Sequence, residues 1–325
     1  MPLSVHLLRE TDKTSQAHLR ARLHPAVAVT FGRELPQPAV YEILVAGRPG
    51  HEHITASPHL QALIIPYAGL PPETLALMRD FPHITVHNLH HNAGAAAEMA
   101  VTLLLAAAKS ILPIDRALRQ QDWRPRYRPN LSVVLEGKTV LILGYGAIGK
   151  RVARTCRGLG MDVVAIRRRA SNAGADTVHP PQALYRLLPR ANALIIALPL
   201  TPETEGLISK EELAMLPPKA VLVNVGRGPI VDEEALYEAL RDGTLRAAGL
   251  DVWYNYPADE TLRSNTPPST YPFHELDNMV LSPHRGGTGG AEEIELQRML
   301  HLARLLNRAV AGEEIPNRVD IDAGY

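Results

Sequence analysis

Gly144, Gly146 and Gly149 stand in a Gly-x-Gly-x-x-Gly spacing directly after the apolar run Thr139-Val-Leu-Ile-Leu143. Glycines so placed let a strand turn sharply, let backbone approach a bulky anion, and let the following helix pack on the strand. The helix N-terminus, around Ala147 and Ile148, then turns its N–H groups toward that anion. A helix-like stretch from Lys150 to Gly158 and a second apolar run, Asp162-Val-Val-Ala-Ile166, complete a βαβ unit. The pattern predicts a bound dinucleotide with its pyrophosphate on the glycine turn. Beyond the second strand such units carry an acid for the ribose hydroxyls; here Arg167 stands in that place, followed by Arg168 and Arg169. Guanidinium groups grip a 2′-phosphate in bidentate fashion, so NADP is the expected cofactor, with NAD as the second choice.

The elements that must hold this turn are legible around it. With 325 residues, 46% of them hydrophobic, the chain has the length and apolar content for two cores. Lys plus Arg and Asp plus Glu balance at 34 each, which argues against nucleic acid and against a polybasic membrane surface, and leaves a small molecule as the expected partner. The one cysteine, Cys156, fits a reducing compartment and reads as helix packing. The N-terminus lacks an apolar signal core, and the expectation is a cytoplasmic protein.

Runs at Ile43-Leu-Val-Ala46, Ala62-Leu-Ile-Ile65 and Ile84-Thr-Val86 read as strands, with Pro72 to Asp80 as a helix between the last two. A long apolar helix is expected from about Ala95 to Arg119, followed by the Pro- and Arg-rich stretch Trp123 to Pro129. Further buried parallel strands are expected at Ala193–Ala197, Ala220–Asn224, Ala247–Asp251 and Met279–Ser282. The last helix, Ala291 to Ala311, is assigned back to the N-terminal domain. An irregular stretch from Tyr254 to Pro272 is longer than loops run without a purpose. His83, His87, His90 and His91 lack the cysteine or acid of a usual ligand set and read as strand-end packing, with no metal expected.

Four segments then carry a resemblance: Leu198-Pro199-Leu-Thr-Pro-Glu-Thr204, Val223-Asn-Val225-Gly-Arg227-Gly-Pro-Ile-Val-Asp232, Gly249-Leu-Asp251-Val-Trp253 and Leu281-Ser-Pro-His284-Arg-Gly286-Gly287. In order and spacing the chain resembles the D-isomer-specific 2-hydroxyacid dehydrogenase family over about residues 60 to 312. The resemblance implies an α/β protein of two Rossmann-like doubly wound domains. Residues 111–289 would form the central dinucleotide-binding domain, and 1–110 with 290–325 a discontinuous, flavodoxin-like substrate domain. It implies a homodimer that passes hydride between NADP(H) and a 2-keto or 2-hydroxy acid, mainly as a keto acid reductase. Arg227 would hold the substrate carboxylate and polarise its carbonyl, a task suited to an always-charged planar fork. His284 would give the proton. Asp251 would lie near the nicotinamide carboxamide, with Leu198, Pro199, Val225 and Gly286 as cofactor contacts. Gly69 and Leu70 would offer a backbone grip on the substrate, and Asn92 a side-chain one.

Two departures stand out. Where most members carry a glutamate beside the histidine, Asp251-Val-Trp-Tyr-Asn-Tyr256-Pro257 presents a tyrosine. A neutral phenol orients an imidazole without raising its pKa. Formate dehydrogenases also carry a neutral residue at this point, and with Asn92 this makes a formate dehydrogenase the alternative. Glu275, Asp259 or Glu260 folding back onto His284 is the other way to supply the acid. The second departure is Pro71 in place of the second glycine of the substrate loop, which removes one N–H and leaves Leu70 as donor. A nucleotide-sensing interaction protein is the rival of another class; Arg227 and His284 argue against it.

Overall fold

The alternation of apolar runs and helices resolves, in the computed structural model, into two parallel sheets, each in its own unit. Residues 2–129, 132–168, 177–287 and 292–324 are described. The first unit comprises Met1–Asn92 and Thr288–Tyr325, the second Ala93–Gly287.

In chain order the first unit contains β1 (Leu3–Leu7), α1 (Lys13–Arg20), β2 (Val27–Phe31), β3 (Ile43–Val45), α2 (His51–Thr55), β4 (Ala62–Ile65), α3 (Pro72–Met78) and β5 (Thr85–Asn88). Its strands lie in the order β2-β1-β3-β4-β5, all parallel, which is the flavodoxin-like winding. The second unit follows with α4 (Ala93–Ala108), α5 (Ile111–Arg119), β6 (Thr139–Leu143), α6 (Ala147–Gly158), β7 (Asp162–Ile166), β8 (Thr177–His179), α7 (Leu184–Leu187), β9 (Ala193–Ile196), α8 (Lys210–Met215), β10 (Val221–Asn224), α9 (Glu233–Asp242), β11 (Ala247–Leu250) and β12 (Met279–Leu281). The order β12-β11-β10-β9-β6-β7-β8 is doubly wound, with its switch point between β6 and β9. The chain then returns to the first unit as α10 (Glu292–Val310), where Met299, Leu302, Leu305 and Leu306 pack against Val5, Leu7, Leu19 and Val29.

Residues β9 to β11 are buried along their whole length, as strands covered on both faces must be. Helix ends are chemically marked: the Asp232 carboxylate accepts from Ala235 N–H at 2.8 Å at the start of α9, and Gly243 closes that helix in the left-handed region. Ser209 and Glu212 form a reciprocal cap on α8.

The expected helix from Ala95 to Arg119 is two helices, α4 and α5, bent by 65°. Ser110 takes φ 51°, outside helical space, and Pro113 has no N–H to offer Lys109. The buried alanine face of α4 packs on α6 and β11, and on Val140, Ile142 and Val152, so α4 belongs to the second unit and the chain divides after Asn92, whereas the sequence reading drew that line at residue 110. β1, α1, β2 and β8 are elements that the sequence reading did not single out. Among the described residues no single helix is long and apolar enough to cross a membrane.

Candidate functional site

All seven strands of the second sheet point the same way, and each candidate residue of this unit follows a strand's carboxyl end. Gly144 follows β6, Arg167 follows β7, Leu198 and Pro199 follow β9, Val225 and Arg227 follow β10, Asp251 and Tyr256 follow β11, and His284 and Gly286 follow β12. Open parallel sheets hold their ligands along this edge.

The three glycines of the turn differ in what fixes them. Gly144 takes φ +98°, and a Cβ there would stand 2.5 Å from the Ala197 carbonyl oxygen. A Cβ on Gly149 would stand 2.0 Å from the Gly144 carbonyl oxygen. Both are demanded by the protein's own packing. Gly146, the N-cap of α6, is not: a Cβ there would meet nothing within 4 Å. The open space over Gly146, facing the first N–H groups of Ala147, Ile148 and Gly149, fits a dinucleotide pyrophosphate. Arg167 is fixed through its backbone, its N–H donating to the His179 carbonyl at 3.0 Å, and Arg168 is exposed. Thr201 and, further off, the Arg168 charge hold the Glu203 carboxyl below its ordinary range. Arg169 lies outside the described residues.

Asn224, 1% exposed, accounts for the Asn-x-x-Arg spacing. Its Oδ1 accepts from Gly226 N–H at 2.9 Å and its Nδ2 donates to the Arg227 carbonyl at 2.8 Å, so one amide brackets the turn. Arg227 thereby leaves the buried strand in extended backbone with its guanidinium exposed, one Nη1–H donating to the Gly226 carbonyl at 2.7 Å.

Asp251 is the anchor of the loop that carries His284. The buried carboxylate accepts from Ser282 Oγ at 2.5 Å, Arg285 N–H at 2.7 Å and Gly286 N–H at 2.8 Å. Trp253 Nε1–H donates to the Ser282 carbonyl at 2.8 Å, and His284 itself is held at φ 57°. A non-glycine residue in that region is strained unless its surroundings over-determine it, and here four hydrogen bonds do.

Tyr256 Oη lies 2.9 Å from His284 Nδ1 and accepts from Trp253 N–H at 3.1 Å. The long stretch from Tyr254 is closed into a neck by Tyr254 and Asn255 N–H groups donating to Pro268, which fixes Tyr256 near its base. The three acids that the sequence offered have local partners instead: Asp259 takes Thr261, Glu260 pairs with Arg263 at 2.7 Å, and Glu275 lies 4.0 Å from His274. Burial pushes the His284 pKa below its ordinary value, the Arg227 charge pushes it further down, and Asp251 opposes. Burial raises the Tyr256 pKa, so the phenol stays neutral. Arg227, Asp251, Tyr256 and His284 are therefore one electrostatic group. Asn224, Ser282 and the Trp253 amide, which the sequence reading gave no positioning role, hold it in place; only the Asn-x-x-Arg spacing carried a signal for any of them.

Gly69, Leu70 and Asn92 belong to the first unit. Gly69 and Leu70 lie in the turn between β4 and α3, half-buried, with Pro71 as the N-cap of α3 and Asn88 Nδ2 donating to the Ala68 carbonyl at 2.7 Å. Asn92 is half-buried just after β5. Of the clustered histidines, His87 has both ring nitrogens engaged, Nδ1 with the Pro316 carbonyl at 3.1 Å and Nε2 with Thr85 Oγ1 at 3.0 Å.

A family model described as "D-isomer specific 2-hydroxyacid dehydrogenase, NAD binding domain" matches residues 101–286. Over 279 residues the chain is 34% identical to a D-3-phosphoglycerate dehydrogenase of Mycobacterium leprae, covering 84% of this chain and 49% of that protein. A glyoxylate reductase of Thermococcus kodakarensis is 38% identical over 207 residues, covering 61% of this chain and 59% of that protein. The chain thus spans about half the length of the curated relatives it matches. A crystal structure of a D-isomer specific 2-hydroxyacid dehydrogenase from Xanthobacter autotrophicus Py2, in complex with NADPH and MES, aligns over 100% of both chains with a TM-score of 0.81 at 27% identity.

Proposed function

Because the chain belongs to the D-isomer-specific 2-hydroxyacid dehydrogenase family, we propose that it is an oxidoreductase that reduces small 2-keto acids with NADP(H), in the cytoplasm and as a homodimer. The observation that carries this reading is the grouping of Arg227, Tyr256 and His284 at the strand ends that also bear the glycine turn. When bound, the nicotinamide supplies the hydride. Arg227 holds the substrate carboxylate by its fork and draws electron density from the neighbouring carbonyl. His284, in its imidazolium form, donates a proton to the carbonyl oxygen while its Nδ1–H rests on Tyr256 Oη. Asp251, through Ser282 and the amides of Arg285 and Gly286, keeps the ring where that transfer needs it.

The cofactor choice rests on Arg167 and Arg168, which suit a 2′-phosphate. Residues Leu198, Pro199, Val225 and Gly286 are assigned to cofactor contact, and Gly69, Leu70 and Asn92 to substrate, through the resemblance alone. The homodimer is supported by α5, which has no buried residue although Ile111, Leu112 and Leu118 are exposed on it, with Trp123 and Tyr127 exposed just beyond.

The test is NADPH and NADH oxidation against glyoxylate, hydroxypyruvate, pyruvate and bulkier keto acids, with formate plus NAD(P)⁺ run in parallel. The neutral partner of His284 is the one feature that favours formate oxidation, which moves no proton at that position. Turnover of formate and of no keto acid would replace the reductase reading with that one.

A further inference from the structure

A phenol on Nδ1 and a guanidinium nearby make His284 a poor proton reservoir, and this bears on which double bond the site can reduce. Reducing a ketone needs a proton at oxygen as hydride reaches carbon, because an alkoxide is too basic to leave unprotonated. The only groups facing the His284 ring through printed interactions are Arg227, Asp251 and Tyr256. Arg227 opposes protonation, and Asp251 is committed to three hydrogen bonds in its own loop. Tyr256 Oη already accepts from Trp253 N–H at 3.1 Å and, being neutral, adds no charge to favour the imidazolium.

A substrate that carries its own proton escapes this requirement. A 2-keto acid condenses with ammonia or a primary amine to a 2-imino acid, whose nitrogen is protonated at neutral pH. Hydride added to that carbon turns the C=N π pair into the nitrogen lone pair and cancels the positive charge. The product is a 2-amino acid, the reduced nicotinamide is oxidised, and the enzyme gives up no proton. A neutral imidazole whose Nδ1–H rests on Tyr256 Oη presents an Nε2 lone pair, which accepts from an iminium N–H; an imidazolium would repel it. The carboxylate remains for Arg227.

Resting on the proposed keto acid site, we propose that the same site reduces 2-imino acids formed from 2-keto acids and small amines, with the Tyr256–His284 pair as the feature that accepts them. The experiment follows NADPH oxidation by the full chain with pyruvate or glyoxylate, with and without methylamine, from about pH 6 to about pH 9, and identifies the product by mass spectrometry. At about pH 8.5 a histidine of pKa 6.5 or lower is protonated in about one molecule in a hundred or fewer. There the amine is expected to raise the rate about tenfold or more and to yield the N-methyl amino acid. Hydroxy acid made at one rate with or without amine overturns the imine proposal and leaves the keto acid reading standing. No oxidation of NADPH in either arm overturns both. A second readout needs no cofactor: NMR titration of the His284 ring is expected to give a midpoint below 6.5, rising by about one unit or more in Tyr256→Glu, whose product ratio shifts toward hydroxy acid. A native midpoint above 7 overturns the proposal.

Discussion

A histidine whose Nδ1 meets a phenol answers to pH differently from one that meets a carboxylate. Burial and Arg227 favour neutral His284, so keto acid reduction is expected to fall as pH rises through a value below 6.5. In Tyr256→Glu the carboxylate favours the protonated ring, and the decline should move to higher pH; coincident kcat/KM profiles for the two proteins would remove Tyr256 from the reaction. Arg227 is tested by a change that keeps charge and loses shape. Arg227→Lys should lower kcat/KM by about two orders of magnitude while cofactor affinity, measured by fluorescence titration, holds. Arg167→Asp with Arg168→Ala should move the ratio of kcat/KM for NADPH over NADH about tenfold or more toward NADH, the scale of one or two charge-assisted contacts.

At the scale of elements, the glycine turn separates folding from binding. Gly149→Ala drives a Cβ to 2.0 Å from a backbone oxygen and should destabilise the second unit, read as a lower Tm. Gly146→Ala meets nothing of the protein, so Tm should hold while NADPH affinity drops; an unchanged affinity would empty that space of its assigned pyrophosphate. The turn and its flanking strands were legible from sequence because three signals coincide within one stretch: an apolar strand, a glycine spacing and a helix. The break at Ser110 was not, since apolar residues run unbroken through Ala108 and resume at Ile111 while the backbone leaves the helix in one residue. β1 and β2 hid behind polar members, and His6 in β1 is buried because Thr30 of the paired strand lies 2.9 Å from its Nδ1. Arg227 and His284 were legible through motif spacing, whereas the Asn224 bracket and the Tyr256–His284 contact join residues that only the fold brings close. If α5 is a dimer face, Leu118→Asp should yield monomers by light scattering with the far-UV spectrum unchanged, since Leu118 is exposed in the single chain.

Over the whole molecule, charge under burial is unevenly shared. Burial lowers the pKa of His6, His87 and His91, all in the first unit; His91, next to Arg298, His301, His90 and Arg9, falls to about 3. Below pH 6.5 the unfolded chain binds protons that these rings refuse, so stability, full above that pH, is lost as pH falls. For His91 the loss runs at about 1.4 kcal/mol per pH unit between roughly pH 5.5 and roughly pH 3. Hydrogen exchange is expected to show the first unit opening at a higher pH than the second. His91→Gln should flatten the slope of stability against pH, and an identical slope would assign the acid sensitivity elsewhere.

The return of α10 to the first unit carries a consequence for the order in which a ribosome can complete this protein. Leu302, Leu305 and Leu306 close a core whose other wall, Val5, Leu7 and Leu19, emerges nearly three hundred residues earlier. Residues 93–287 can finish their sheet while that wall still waits uncovered, so the segment translated first is the last to be sealed. A nascent chain stalled after Gly287 should therefore yield to protease within its first ninety or so residues and resist beyond them.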